Sequence, residues 1–369
     1  IGQAPEPASA FMELISADAA GNLLTDYPEL TWGDAIPSGF SSQFKDKYEG
    51  AVTKLVVGAA VTINATTPTG FSPTFSGSYD SGWGSCRFSG IITSIDATPS
   101  LVAVTAVAPS EALTRVLVDT ASWPEESETA RAARIAAAAG ISLTVEGAPS
   151  FTVMATKPDA QQANAWQLLT ALAGDADALI YANRDGLIIY RTRLATTGAV
   201  TVTLEAGATL LDNMQLTCEI GRVTNSVEVK YGDPEASVTA EDAASVSKYG
   251  KRSNSISIDS PSHADAVAKA QRIIDNSSHP TWHMPSVTVN LQLAKTGGGH
   301  YPQNVQELLE ADLDDEVWLP YLLPASPLPS YSSRILGYDE VLDPYAWSLT
   351  FALNPDGWTA QPVTRKASQ

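Results

Sequence analysis

The sequence predicts a β-rich α+β protein, with β-barrel segments towards both ends and an α+β region between them. The barrel segments are predicted from β-branched runs bounded by Gly, Pro or Ser turns, such as Leu101–Val107 and Trp347–Leu353. The middle region is predicted from an alanine-rich run that has the composition of a helix and ends at Gly140. The chain has 369 residues, which is too long for one ordinary core, so several folded units are expected.

The first β-barrel is assigned to residues 11–118. It follows an N-terminal arm at residues 1–10, where Pro, Ala and Ser predominate and little local structure is expected. The strands of this barrel are predicted at Lys54–Val57, Val61–Ile63, Arg87–Ile95 and Leu101–Val107. Turn residues between the last two runs favour an antiparallel hairpin.

The α+β middle domain is assigned to residues 119–212 and 233–284. Its first helix is predicted from Ser122 and Glu125, which have the spacing of a capping box, with Pro124 in the first turn. That helix is expected to end at Gly140.

A second helix of the middle domain is predicted over Ala160–Ala173, closed by Gly174. Its apolar stripe consists of Ala165, Trp166, Leu169 and Leu172. A hairpin follows, in which an Asn183–Gly186 turn joins two apolar strands. Residues 232–250 are polar and are predicted to form a loop. A third helix is predicted over Ser262–Asn276, with an inner face formed by Ala266, Val267, Ala270 and Ile274.

The second β-barrel is assigned to residues 213–232 and 285–358, and a polar C-terminal tail to residues 359–369. Ser226–Tyr231 alternates apolar and polar residues, so one face of that strand is expected to be buried. The predicted core of this barrel consists of Val227, Val229, Val289, Leu291, Ile335, Leu349 and Phe351.

A weak internal repeat links the two barrel segments. Ser89–Ile92, a turn and Val104–Pro109 match Ile335–Tyr338, a turn and Leu349–Pro355. The match needs gaps, and two unrelated hairpins would look similar. A true repeat would imply two related barrels in one chain.

The charge of the chain excludes several classes of partner. Asp and Glu number 41 against 22 Lys and Arg, a formal net charge of -19. Such a surface is unsuited to gripping nucleic acid and is repelled by anionic lipid, although an acidic channel wall would let DNA pass without sticking. The sequence contains no apolar run long enough for a membrane span and no signal peptide, so no membrane insertion is expected. Because the chain begins at Ile1 rather than Met, the true start is expected to lie upstream.

Cys86 and Cys218 are the two cysteines of the chain. Two thiols exclude a disulfide framework and any zinc site with three or four thiolates. The simplest expectation is that both are reduced and buried.

The histidines do not form a convincing metal or catalytic motif. His279 and His283 are four residues apart, as in a helical zinc pair, but Pro280 and Pro285 oppose a helix there. His263 and His300 lie apart from them in the sequence. A structural role is favoured for His279 and His283, because two histidines without further ligands make a poor zinc site.

Other candidate sites are equally weak. Asp312, Asp314, Asp315 and Glu316 could ligate a hard cation, but the glycine of a calcium loop is missing, and a solvated approach to a strand is favoured. Gly82–Cys86 lacks the spacing of a nucleophile elbow, and Gly297–Gly299 before His300 lacks the Lys of a phosphate loop. No catalytic, cofactor-binding or metal-binding residue is therefore assigned, and the protein is not expected to be an enzyme.

The order of several segments resembles the tail-tip and baseplate hub proteins of long-tailed bacterial viruses. In the second half these segments are Asn225–Gly232, Lys248–Arg252, Ser255–Ile258, Ala264–Ile274, Pro285–Leu291, Ile335–Tyr338 and Trp347–Pro355. In the first half they are Phe88–Ile92, Thr129–Gly140 with the strand after it, and the helix before Tyr181–Leu187. The resemblance covers most of residues 11–358.

This resemblance implies a structural subunit of a phage tail tip. Each subunit would carry two similar hub-type β-barrels with an α+β middle domain. A homotrimer would then present six barrels and adapt a six-fold tail tube to a three-fold tip around the DNA exit path. The expected partners are the distal tail protein, the tail tube or tape-measure protein and other tail-tip proteins, with DNA only as passing cargo. The expected location is the virion tail tip, assembled in the host cytoplasm.

Two other functions remain open at the level of sequence. Some proteins of this type carry a peptidase or lysin domain after the hub, and this chain has only a short polar tail after Pro355, which weakens a cell-wall hydrolase. A host-carbohydrate-binding adhesin would use exposed tryptophans such as Trp32 or Trp83 to stack on sugars.

Overall fold

A computed structural model describes twelve parts of the chain. They are residues 9–14, 60–65, 85–97, 102–119, 123–156, 162–195, 201–204, 214–290, 308, 310–320, 328–342 and 347–354. Contacts divide the chain into two compact units. One comprises Glu6–Arg115 with Ala182–Ile188, and the other comprises Val116–Tyr181 and Ile189–Gln369 with Ile1–Pro5.

Strands predominate among the described residues, so the predicted β-rich character is confirmed. The helices are α1 (Glu111–Arg115), α2 (Glu128–Ala138), α3 (Ala165–Ala176), α4 (Ala243–Tyr249) and α5 (His263–Ser277), with a 3-10 turn at Ile220–Arg222. The strands are β1 (Ser9–Leu14), β2 (Ala60–Ala65), β3 (Ser85–Ala97), β4 (Val102–Val107), β5 (Leu117–Asp119), β6 (Leu143–Glu146), β7 (Gln162–Asn164), β8 (Leu179–Ala182), β9 (Ile188–Arg191), β10 (Thr201–Thr203), β11 (Thr217–Cys218), β12 (Ser226–Tyr231), β13 (Ala236–Glu241), β14 (Ser253–Ser257), β15 (Trp282–His283), β16 (Ser286–Asn290), β17 (Glu316–Leu319), β18 (Tyr331–Leu342) and β19 (Trp347–Leu353).

The first unit contains a four-stranded antiparallel sheet in the order β1–β4–β3–β2. The two long runs predicted near residues 87–107 form its β3–β4 pair, which has an irregularity between Ile92 and Ser94. Gly90 is required where β3 approaches β4, because a Cβ atom there would lie 2.4 Å from the Val107 carbonyl oxygen. Val104 and Ala106 of β4 are fully buried.

Helix α2 begins later than the sequence predicts. Its N-cap is Ser127, whose hydroxyl accepts a hydrogen bond from the Ala130 amide, so the capping box predicted at Ser122 is wrong. Pro124 precedes the helix, in a segment where Glu126 pairs with Met154 in an isolated antiparallel bridge. The predicted C-terminal glycine is confirmed, since Gly140 has a φ of +71° after the last turn.

Helix α3 is shifted towards the C-terminus relative to the prediction. Asn164 caps it by accepting from the Trp166 and Gln167 amides, and Leu169 and Leu172 are buried as expected. Gly174 lies inside the helix. The chain leaves the helix at Asp177, which adopts the left-handed conformation with a φ of 55°.

The predicted hairpin after α3 is confirmed. Strands β8 and β9 flank a turn in which the Asn183 side chain accepts from the Leu187 amide and Gly186 has a φ of +82°. Strand β6 joins them in a three-stranded sheet with β9 in the middle.

Residues 225–278 form a separate three-stranded sheet with two helices. The order is β13–β12–β14, so the loop predicted over residues 232–250 is wrong: it contains β13 and α4. Helix α5 is confirmed, with Ser262 as its N-cap, and Ala266, Ala270 and Ile274 are buried. Val267 was predicted on the same inner face, but it is 43% exposed.

A large hydrophobic core lies in a five-stranded sheet ordered β10–β17–β18–β19–β16. Four residues of the predicted core, Val289, Ile335, Leu349 and Phe351, are fully buried there. Val227 and Val229 are also fully buried, but they lie on β12 in the other sheet, where α5 covers them. The alternating sequence of β12 correctly predicted that Val227 and Val229 are buried. The assignment of this strand to the second barrel was wrong, because β12 lies in the β13–β12–β14 sheet. Leu291 lies outside the described residues. None of the described helices is long and apolar enough to cross a membrane.

Candidate interaction surfaces

The histidine pair does not form a metal site. His283 is buried in β15, whereas His279 is exposed, with Nδ1 2.9 Å from the Ser278 hydroxyl and 3.7 Å from an Asp242 carboxylate oxygen. His263 contacts the Tyr231 hydroxyl at 2.8 Å. Within the described ranges, no three His, Cys, Asp or Glu side chains converge to hold a metal ion. His300 lies outside those ranges.

The acidic run before β17 is a structural turn. Asp314 has a φ of 70° and accepts a hydrogen bond of 2.6 Å from the Arg334 guanidinium, and the Arg191 guanidinium lies 3.7 Å from its other oxygen. Asp315 accepts from the Asp312 amide and so closes the turn. Because two arginines neutralise Asp314, its carboxylate stabilises the turn against β18 and β9.

A buried arginine ties four segments of the second unit together. Arg131 of α2 is 2% exposed, and its guanidinium donates to the Pro124 and Ala155 carbonyls at 2.9 and 2.7 Å. The same group contacts Asp259 at 3.1 Å and Glu126 at 3.4 Å. Its planar fork of donors suits several fixed acceptors at once, so this residue positions the backbone.

A second cluster fixes the end of α3 to α5. The Lys269 ammonium is buried and donates to the Gly174 and Asp175 carbonyls at 2.8 and 3.1 Å and to the Asp177 carboxylate. Arg272 approaches the other Asp177 oxygen at 2.7 Å. Backbone acceptors and one carboxylate therefore compensate two positive charges.

Glu128 is a buried acid at the start of α2. Its carboxylate accepts a 2.7 Å hydrogen bond from the Phe151 amide. Burial raises the pKa of Glu128 above its usual value, while that amide and the nearby Tyr190 hydroxyl oppose the shift. Burial likewise raises the pKa of Tyr190, and the Glu128 charge adds to that effect. These buried polar clusters stabilise the interior of the second unit.

The outer face of the β13–β12–β14 sheet is flat, polar and exposed. Directly paired residues share a face, so Glu228 lies between Thr239 and Ser255, and Lys230 lies between Ser237 and Ser257. We call this set, with Glu241 and Ser253, the serine-rich face. Five of its members, Ser237, Thr239, Ser253, Ser255 and Ser257, are exposed hydroxyl residues. Short side chains lose little conformational freedom when covered, which suits contact with another protein.

Charges on the serine-rich face are mostly paired locally. Lys230 contacts Glu235 at 3.1 Å, and Lys251 contacts Glu241 at 2.7 Å. Ser255 donates to the Glu228 carboxylate. The face is therefore close to neutral on a chain of net charge -19. This surface was not predicted from the sequence, because β13 lies within the polar residues 232–250, which were predicted to form a loop.

A two-stranded ribbon, β11 with β15, carries exposed apolar groups. Cys218 and Trp282 are directly opposite each other in its register, and both are exposed. The expectation that both cysteines are buried is therefore wrong for Cys218. The side chain of Cys86, Trp32, Trp83 and Gly297–Gly299 lie outside the described residues.

Solved structures resemble this chain over most of its length. A crystal structure of a prophage MuSo2 43 kDa tail protein from Shewanella oneidensis matches with a TM-score of 0.53 and 13% identity, over 94% of this chain and 89% of that one. A tail protein from Neisseria meningitidis MC58 matches with a TM-score of 0.51 and 12% identity, over 74% of this chain and 82% of that one.

The chain has the fold of phage tail proteins. The resemblance inferred from the sequence is confirmed at this level. No protein-family model matches the chain, and no curated protein matches its sequence. The phage tail fold was recognisable from segment order because Phe88–Ile92, Ser226–Tyr231, α5 and Trp347–Leu353 are described elements in the expected order.

Proposed function

We propose that this chain is a structural hub subunit of a phage tail tip or baseplate. The observation that carries the proposal is the match to a prophage tail protein over 94% of this chain. Its subunits would form a homotrimeric ring that adapts a six-fold tail tube to a three-fold tip and surrounds the DNA exit path. The partners would be the distal tail protein, the tail tube or tape-measure protein and other tail-tip proteins.

The two-barrel arrangement is part of this proposal. Both halves of the weak internal repeat are long antiparallel pairs, β3–β4 and β18–β19. Each pair has one irregularity, between Ile92 and Ser94 in the first and between Ile335 and Gly337 in the second. Bulges tighten the local twist and bend a strand, as closure of a barrel requires. These shared features support two related barrels in the chain.

The function would reside in surfaces rather than in a catalytic site, so we propose a non-enzymatic role in the virion. The serine-rich face is proposed as the contact with a second copy of this chain. Two copies of an acidic protein repel each other unless they meet where charge is low. Local pairing of Lys230 and Lys251 with neighbouring acids supplies such a region. DNA would be passing cargo only.

The first test is the native mass of the purified protein together with electron microscopy of the same particles. The proposal expects particles of three chain masses that project as a three-fold ring with a central opening. A monomer at every concentration, both alone and with the distal tail protein, would contradict the hub.

The contact face is tested by a matched pair of substitutions. Ser255→Arg puts a long cation on the serine-rich face, on β14 beside Glu228, and Val267→Arg puts the same cation on the exposed side of α5. Ser255→Arg is expected to weaken trimer formation at least tenfold, because the cation must be desolvated and crowds a close contact. Val267→Arg is expected to leave the trimer intact. Equal effects of the two substitutions would remove this face from the interface.

A further inference from the structure

A small open cleft lies beside the β11–β15 ribbon. Three elements form it: the last turn of α5, the turn before β15, and the residues that begin β18. Its volume is about 280 Å³, just below the ~300–1,000 Å³ of ordinary small-molecule sites, so it suits a ligand of one ring.

Aromatic rings form two sides of the cleft. Trp282 is 40% exposed at its wall, and the neighbouring His283 is buried, because successive strand residues point to opposite faces. Tyr331 is buried in the lining and is held in place by its hydroxyl, which accepts a 2.9 Å hydrogen bond from the Met284 amide. The exposed indole therefore stands beside a fixed aromatic ring.

Apart from Leu328, which adds an apolar side chain, the remaining lining is polar and uncharged except for one acid. Asp275 and Asn276 come from α5, Thr281 from the following turn, and Ser330 precedes β18. One Asp275 oxygen accepts a 2.7 Å hydrogen bond from the Gln271 amide group, which orients the carboxylate. Carboxylate, amide and hydroxyl groups together offer both donors and acceptors.

We propose that this cleft binds one neutral saccharide ring. A pyranose presents an apolar C–H face that packs on an indole, and a rim of hydroxyls that both donate and accept hydrogen bonds. Asp275, Asn276 and Thr281 supply complementary partners around Trp282. The described lining contains no Lys or Arg, and Asp275 would repel an anion, so sialic acids, uronic acids and phosphates are disfavoured.

The site is independent of the proposed hub role, since a hub requires no sugar. Saccharide binding would add contact with a glycan to a structural subunit. It also assigns sugar stacking to Trp282, and not to Trp32 or Trp83, which the sequence suggested.

The test is saturation-transfer NMR on the full chain with glucose, galactose, N-acetylglucosamine and N-acetylgalactosamine, alongside glucuronate and sialic acid. At least one neutral sugar is expected to bind in the millimolar range usual for a small contact, about 4 kcal/mol or less. Trp282→Ala should weaken that binding at least tenfold and Asn276→Ala several-fold. Val341→Ala removes another exposed apolar side chain and should leave binding unchanged.

Three results would overturn the proposal. One is the absence of binding by every neutral sugar in the panel. Another is binding that persists in Trp282→Ala, which would place the sugar elsewhere. The third is preferential binding of the anionic sugars. If Trp282 is instead protected in the assembled trimer and no sugar binds to the free chain, the cleft belongs to a protein contact and the saccharide assignment fails.

Discussion

Removing the side chain of Arg131 is expected to destabilise the unit that contains it by several kcal/mol. The guanidinium is 2% exposed, and Arg131→Ala would leave the Pro124 and Ala155 carbonyls without this donor. Breaking a buried charged pair costs ~3–5 kcal/mol, and Asp259 is only partly buried, so we expect the lower end, about 3 kcal/mol. At ~2–4 °C per kcal/mol for a unit of this size, the melting temperature should fall by about 6–12 °C.

Arg134→Ala is the matched control for this experiment. Arg134 contacts the same acid, Glu126, at 2.8 Å, but its side chain is 44% exposed. An exposed ion pair contributes less than ~1 kcal/mol, so this variant should melt within about 4 °C of the parent. Differential scanning calorimetry of both variants at one pH measures the comparison. Equal shifts, or a loss under ~1 kcal/mol for Arg131→Ala, would refute the argument that buried donors fix these segments.

Three further predictions concern α5, α3 and α2. Asp177→Asn keeps the left-handed turn but leaves Lys269 without its charged partner. Urea denaturation should therefore show that the free energy of unfolding falls by about 1.5–3 kcal/mol. A fall of less than ~0.5 kcal/mol would contradict a stabilising role for this cluster. Ala270→Lys places a charge at a fully buried position and should largely prevent folding, as measured by circular dichroism. Val267→Lys, on the exposed side of the same helix, should change the free energy of unfolding by less than ~0.5 kcal/mol. Similar effects of the two substitutions would contradict the observed buried face of α5. The raised pKa of Glu128 penalises its ionised form in the folded state, so Glu128→Gln should gain stability relative to the parent as pH rises above about 4.5; a difference that is constant between pH 4 and 7 would reject this.

Local signals predicted those elements whose structure is determined locally. The hairpin of β8 and β9 was predictable because Asn183 and Gly186 have the turn chemistry that joins two apolar strands. Helix α5 was predictable from Ser262 and the spacing of Ala266, Ala270 and Ile274. Val267 was wrongly predicted to lie on the inner face of α5, because valine is a residue type common in cores. Its side chain is exposed.

The missed features depend on contacts that are distant in sequence. Ser122 and Glu125 satisfy a capping pattern, but Arg131 donates to the Pro124 carbonyl and Glu126 pairs with Met154, and Ser127 caps the helix instead. Strand β13 is an exposed edge strand whose alternating apolar positions are only Ala236, Val238 and Ala240, so its apolar signal is weak and its sequence resembles a loop. The serine-rich face could not be predicted for the same reason. Alternation in β12 predicts a buried side and says nothing about which sheet supplies the partners.

The position of β19 in the five-stranded sheet affects how the protein is made. This strand lies between β18 and β16, yet it is the last described strand of the chain. The chain must therefore be synthesised at least through β19 before Val289 and Ile335 can be enclosed with Leu349 and Phe351. A product of premature termination before residue 347 would have β16 and β18 but no strand to join them. Such a fragment would be prone to degradation, so the sheet discriminates against copies truncated before β19.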